Sequence, residues 1–426
     1  MSLSAESGAR RLRVVSIDSV AASAPTPVDA ATLAGAREIV ESVRAGGEAS
    51  LRAHAERLDG LAPGAPLLLG KEELARAAAG IPPETLALLE RVAGRIRAFA
   101  EAQRGAISTL DVAVPGGRAG HDVAPVEAAG CYAPGGRYPL PSSVLMTAVT
   151  ARAAGVERVV VASPNPAQVT LAAAHVAGAD QFLCAGGAQA IAAMSYGLTG
   201  QLGPVAIVVG PGNRWVTAAK EIVYGAVGID LPAGPSELVV LADETANPDL
   251  IAADLLAQAE HDPDARPALI TTDATLPDRV EACLVKRLAT LPTREVASAA
   301  LAHGFAAVAG TMEEALRAVD ELAPEHLQLC VSDPMAAKSK LKHFGAAFMG
   351  EQSAEVFGDY GAGPNHVLPT GGAARYSGGL SVFTFLRIRT WLELESVDEA
   401  GADAVTLARL ESLEGHALAA EARLRR

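Results

Sequence analysis

The sequence is poor in aromatic residues, poor in cysteine and short of positive charge. Phe, Trp and Tyr make up 4% of its 426 residues, and the four cysteines are Cys131, Cys184, Cys283 and Cys330. They lie far apart and form no CxxC pair, which argues against a disulfide framework and against a thiolate zinc site. Lysine and arginine number 35 against 49 aspartates and glutamates, for a formal net charge of −14. An acidic surface repels phosphate backbones, and no basic cluster stands out against it, so nucleic acid is not the expected partner. No apolar run approaches the length of a membrane-spanning helix. The first twenty residues hold Glu6, Arg10, Arg11, Arg13 and Asp18 with no apolar segment, unlike a signal peptide. What remains is a cytoplasmic protein acting on a small soluble molecule.

What is present is small and apolar. Half of the chain is hydrophobic, with Ala, Val, Leu and Gly dominating, the composition of helices packed closely on sheets. A chain of this length exceeds what one core usually organises, so two or more lobes are expected. After a mixed arm, Met1 to Asp29, Leu33, Ile39, Val40 and Val43 mark one helical face before Gly46-Gly47. A second helix with Leu51 and Leu58 inside ends at Gly60, and Lys71 to Ala79 and Pro83 to Gln103 give two more. From Asp122 the pattern becomes strand, turn, helix. Strands are expected at Val126–Tyr132, Arg158–Ala162, Gln181–Cys184 and Val205–Val209, with helices at Val144–Ala154, Gln168–Ala177, Ala188–Tyr196 and Val216–Tyr224. A second such run has strands at Glu237–Ala242, Ala268–Thr271, Phe305–Ala309, His326–Val331 and Ala346–Met349. Its helices are Leu250–His261, Asp278–Leu288 and Met312–Leu322, and a helical tail runs from Val397 to Arg426. This is the signature of parallel sheets flanked by helices, whose ligands sit at the carboxyl ends of the strands.

Chemistry concentrates in a few places. The stretch Gly358 to Thr370 holds three glycines and two prolines, so it reads as a shaped loop, and it carries Asp359, Asn365 and His366. Alone, it allows a turn-capping acid and a packed histidine as readily as a site. Gln258 and His261 are three apart on one helix face, half of a metal site or a helix C-terminal cap. Glu325-His326 follows Pro324 in a helix-to-strand turn, where an adjacent acid and imidazole can activate water and carry a proton. Gly210-Pro211-Gly212-Asn213 follows a strand and opens a helix, as phosphate-binding turns and plain connecting turns both do. Glu411 and His416 stand five apart in the tail.

In order and spacing these pieces resemble the L-histidinol dehydrogenase family. The blocks that carry the resemblance are Tyr132–Gly136 (YAPGG), Pro139–Met146 (PLPSSVLM), Gly187–Ile191 (GAQAI) and Gly210–Arg214 (GPGNR). Further blocks are Ala233–Glu237 (AGPSE), Gln258–His261 (QAEH), Pro324–Leu327 (PEHL) and the Gly358–Thr370 loop. The resemblance implies zinc, one per subunit, and two NAD for oxidation of an amino alcohol to the amino acid through the aldehyde. It makes Gln258, His261, Asp359 and His416 the zinc ligands and Glu325 and His326 the catalytic pair. Ser236, His366 and Glu411 become substrate contacts beside Gln258, His261, His326, Asp359 and His416, and Tyr132, Gln189 and Asn213 become NAD contacts. His416 and Glu411 would come from the other subunit of a homodimer. The implied fold is α/β, two Rossmann-like lobes with an N-terminal arm and a C-terminal tail used in dimerisation. Its expected division is 1–29 (arm), 30–128 with 238–380 (first lobe), 129–237 (second lobe) and 381–426 (tail). A relative on the same scaffold that oxidises another small alcohol or diol is the alternative.

Overall fold

Short runs of Val, Leu, Ile and Ala bounded by turns build the two main sheets. The computed structural model describes residues 11–23, 28–135, 138–232 and 234–424. Parts of three expected features lie outside them: residues 1–10 and 24–27 of the arm, Gly136, Arg137 and Ala233 of the motifs, and Arg425-Arg426 of the tail.

The first sheet has the strand order Arg13–Ser16, Phe305–Val308, Arg266–Thr271, Glu237–Ala242, His326–Cys330, Ala346–Met349, all parallel. Along its central strand Leu238, Val240 and Ala242 enter one core and Val239 and Leu241 the other, so both faces are buried under helices. The second sheet runs Leu68–Gly70, Gln181–Leu183, Arg158–Ala162, Ala128–Tyr132, Ile207–Val209, Gly228–Ile229, parallel except for its Leu68–Gly70 edge. The architecture is therefore α/β with two parallel-rich lobes.

Three features depart from the sequence-based expectation. The helices Ala30–His54, Lys71–Ala79 and Pro83–Gly105 do not cover the first sheet. Their buried residues, among them Ala36, Val40, Leu51, Leu74, Leu89 and Ile96, share one core with residues 128–227. The grouping of 30–128 with 238–380 thus gives way to 30–105 with 128–229, while Arg13–Ser16 of the arm joins the first sheet. The physical reason is shape. Gly35 brings the first helix so close to Trp215 that a Cβ there would lie 2.9 Å from the indole, a fit that helical periodicity does not encode. Second, Leu110–Val114, Gly117–Pro125 and Leu386–Leu394 form an unexpected antiparallel sheet. Third, helices Arg294–His303 and Pro334–Lys340 were not anticipated, and the tail is two helices, Asp398–Leu410 and Glu414–Leu424, with Ser412 left-handed between them at φ 61°.

A buried ion pair shapes the Gly210 turn. Lys220 and Asp230 are 2% and 0% exposed and bonded to each other. Lys220 Nζ also donates to the Gly210 carbonyl (3.1 Å), and Asp230 Oδ2 accepts the Gly210 N–H (2.7 Å). Such a pair is maintained in the interior because each charge also meets backbone partners.

Candidate active site

The elements that converge here come from the first sheet and the loop beyond it. Glu237 and His326 are the first residues of adjacent strands, with Glu325 one residue ahead, so their side chains gather at the amino ends of those strands. The helix Pro248–Ala259 runs back along the sheet, and its C-terminal end brings Gln258 and His261 to the same place. Asp359 closes the short helix Glu355–Asp359 at the start of the glycine-rich loop. These side chains therefore gather at the opposite ends of this sheet from the carboxyl ends where ligands are expected. Pro324 and the strand registers place the acid and imidazole before the strand rather than after it.

Asp359 is the hub. Its Oδ2 lies 3.4 Å from His261 Nε2, and its Oδ1 lies 3.7 Å from His366 Nδ1 and 3.9 Å from His326 Nε2. His366 Nδ1 donates to the Asp359 carbonyl at 3.1 Å, and His326 Nδ1 to the Glu237 carbonyl at 3.1 Å, leaving both Nε2 atoms free as acceptors in that tautomer. The Glu237 N–H donates to Glu325 Oε2 at 2.8 Å, and Glu237 Oε1 accepts the Gly371 N–H at 3.2 Å. Among the described residues, His261, Glu355 and Asp359 offer ligand atoms all within 4.8 Å of one another.

Five buried polar atoms around this hub have no hydrogen-bond partner: Gln258 Nε2 and Oε1, Glu355 Oε1, His326 Nε2 and His366 Nε2. Leaving such a group unpaired costs about 1–3 kcal/mol, so their concentration in one place marks a site built to receive ligands. Imidazole nitrogen, carboxylate oxygen and amide oxygen form a donor set that suits zinc. Charge is crowded as well. Burial works to lower the His326 pKa, but neighbouring Glu325, Glu355 and Asp359 outweigh it and push it up to about 10. Burial and nearby carboxylates raise Glu355, and burial lowers His366. Burial, with Glu325 beside it, lifts the Glu237 carboxyl to about 7.

A second cluster sits at the carboxyl ends of the second sheet. Tyr132 Oη accepts the Gly187 N–H at 3.1 Å, and the Gln189 amide donates to Asp59 Oδ2 at 3.0 Å. Asn213 caps the following helix, its Oδ1 accepting from Trp215 and Val216 N–H. The loop ties the lobes together, because Asn365 Nδ2 donates to the Met146 carbonyl (2.8 Å) and Arg95 Nε to the Gly361 carbonyl (2.8 Å).

Of the residues expected from sequence, Gln258, His261, Glu325, His326, Asp359 and His366 come together, and Ser236 directly precedes Glu237. Glu411 and His416 do not join them within this chain. Both are exposed, on either side of the break in the tail. Sequence reasoning missed Glu355 and Asp59. Glu355 stands four residues before Asp359, a helical spacing that puts both on one face, but the glycines pointed to loop.

Known proteins resemble this chain over nearly its whole length. A family model described as histidinol dehydrogenase matches residues 25–424. The histidinol dehydrogenase of Geobacillus kaustophilus is 45% identical over 396 residues, covering 91% of this chain and 92% of that protein. That of Rhodospirillum rubrum is 45% identical over 421 residues, covering 94% and 96%. The crystal structure of histidinol dehydrogenase from Elizabethkingia anophelis superposes with a TM-score of 0.92 at 30% identity, covering 98% of this chain and 99% of that one.

Proposed function

The chain belongs to the histidinol dehydrogenase family of oxidoreductases, and from that premise we propose that it oxidises L-histidinol to L-histidine through L-histidinaldehyde, using zinc and NAD. This is the last step of histidine biosynthesis. The observation that carries the reading is the group of unpartnered buried atoms around Asp359, which fits both a metal and a substrate rich in nitrogen donors. Gln258, His261 and Asp359 would hold the zinc, with Glu355 near enough to share it, and His416 of a second subunit would complete the set. When bound, the metal would fix the substrate's amine and imidazole and offset the negative charge of the carboxylates around His326. When bound, NAD would supply the hydride acceptor for each of the two oxidation stages, which together remove four electrons.

The chain's own residues supply the proton chemistry. Hydride leaves more readily from an alkoxide, so a base must first take the hydroxyl proton. With the charge of those carboxylates offset, His326 would be neutral and placed for this, because its Nδ1 is tied to the Glu237 carbonyl and its Nε2 faces the site. In the second half a water must add to the aldehyde carbon before another hydride can leave. Glu325, held through one carboxylate oxygen by the Glu237 N–H, keeps its other oxygen to take the proton of that water. His366, Ser236 and a partner subunit's copy of Glu411 would contact the substrate. Tyr132, Gln189 and Asn213 would line the NAD side. NAD formed into NADH is followed by absorbance, and the expected stoichiometry is two NADH and one L-histidine per L-histidinol, abolished by chelation and restored by zinc. One NADH per substrate, or no turnover of L-histidinol, would instead favour a dehydrogenase for another small alcohol or diol.

A further inference from the structure

At the carboxyl ends of the second sheet, one acidic group has no part in the chemistry above. Asp59 ends a single π-helical turn, Ala55–Asp59, after the first helix, and Gly60 follows in the left-handed region at φ 69°. That turn carries the carboxylate over the glycine turn at Gly186-Gly187. Asp59 Oδ2 accepts two hydrogen bonds, from the Gly186 N–H at 2.9 Å and from Gln189 Nε2 at 3.0 Å, and its carbonyl accepts from Asn165 Nδ2. The fit is close, for a Cβ on Gly186 would lie 3.0 Å from Asp59 Oδ1 and 2.7 Å from Pro164. Tyr132 Oη takes the next N–H of the same turn, that of Gly187.

The consequence lies in the orientation of Gln189. Its amide is 2% exposed, and the two ends of an amide are nearly identical in shape, so only hydrogen bonding decides which end points where. A carboxylate can only accept, so it compels the NH2 end inward. Oε1 then lies over the turn, 3.0 Å from where a Cβ of Gly187 would be.

We propose that Asp59 is a positioning residue for the cofactor. It locks Gln189 with its amide oxygen outward, as an acceptor for an N–H or O–H donor of the dinucleotide. The inference rests on the reading of Gln189 as a cofactor contact, and the test separates the two. In the full-length, zinc-loaded enzyme, Asp59→Ala removes the acceptor that orients the Gln189 amide. The expected result is a rise of about tenfold in the KM for NAD, the scale of one charge-assisted hydrogen bond. Zinc content and the KM for the alcohol substrate should stay as in the parent enzyme, as should kcat at saturating NAD. Asp59→Asn keeps an oxygen that the Gly186 N–H holds in the same place, where it still accepts from Gln189 Nε2, so in that variant NAD affinity should largely return. Two results overturn the positioning role while Gln189 keeps its assignment. One is an unchanged KM for NAD in Asp59→Ala when Gln189→Ala raises it; the other is an Asp59→Asn variant no better than Asp59→Ala. An unchanged KM for NAD in Gln189→Ala would remove the underlying reading instead.

Discussion

At the scale of single residues, Glu237 shows how one position can organise its neighbours without reacting. Its N–H holds Glu325, its carbonyl holds His326, and its side chain accepts from Gly371. Its carboxyl is lifted from 4.5 to about 7, first by burial and then by Glu325. A carboxyl whose folded pKa lies above its unfolded value binds its proton more tightly in the folded state. Its contribution is therefore most favourable below about pH 4.5, declines as pH rises, and is lost above about pH 7. Glu237→Gln keeps an acceptor for Gly371 and removes the charge. Relative to the parent, the variant should gain up to about 3 kcal/mol in going from pH 5 to pH 8, read by urea denaturation at the two values. Parallel pH profiles would show that Glu237 does not carry this load. The sequence made Glu325, His326, His261 and Asp359 visible because acids and imidazoles on shaped turns are rare enough to notice. Asp59 was invisible, since the glutamine it orients is 130 positions away and nothing local marks the contact.

At the scale of elements, the Gly358–Thr370 loop is held from the far lobe. Gly361 has φ 79°, and a Cβ there would lie 2.5 Å from Val92 Cγ1 on the helix Pro83–Gly105. Gly361→Ala therefore meets both an unfavourable backbone region and a clash. It should cost about 1–2 kcal/mol of stability and, by shifting Asp359, weaken zinc retention; dialysis against a graded chelator series reads the latter. Zinc retention equal to the parent's would show that the loop positions Asp359 independently of this contact. The helices and parallel strands were legible because each is an apolar run bounded by glycine, proline or a cap. The antiparallel sheet was not. Its strand Gly117–Pro125 has no buried side chain and three interior polar residues, Arg118, His121 and Asp122, beside Gly120, and its partner Leu386–Leu394 lies far along the chain. Nor does an amphipathic stripe say which sheet it will face, which is why the first three helices were assigned to the wrong lobe.

At the scale of the whole molecule, the tail sets the next test. Leu407, Leu410, Leu413 and Leu418 are exposed on it, and Arg409 bonds Glu414 and Glu421 to hold its two helices together. If a second subunit supplies His416, two inactive variants should complement each other. Glu325→Gln subunits mixed, unfolded and refolded with His416→Ala subunits would leave one site in four with both groups intact, about a quarter of parental activity. Activity no higher than that of the separate variants would place His416 outside the site. The path of the chain also sets an order of assembly. Arg13–Ser16 leaves the ribosome first but pairs with Phe305–Val308, and the lobe of residues 30–229 is made in between. That lobe can close while the chain is still growing, whereas the sheet bearing Glu325 and His326 waits for nearly all of it. Until then its first strand is an unpaired edge, so the half that carries Glu325 and His326 is the half most in need of protection during synthesis.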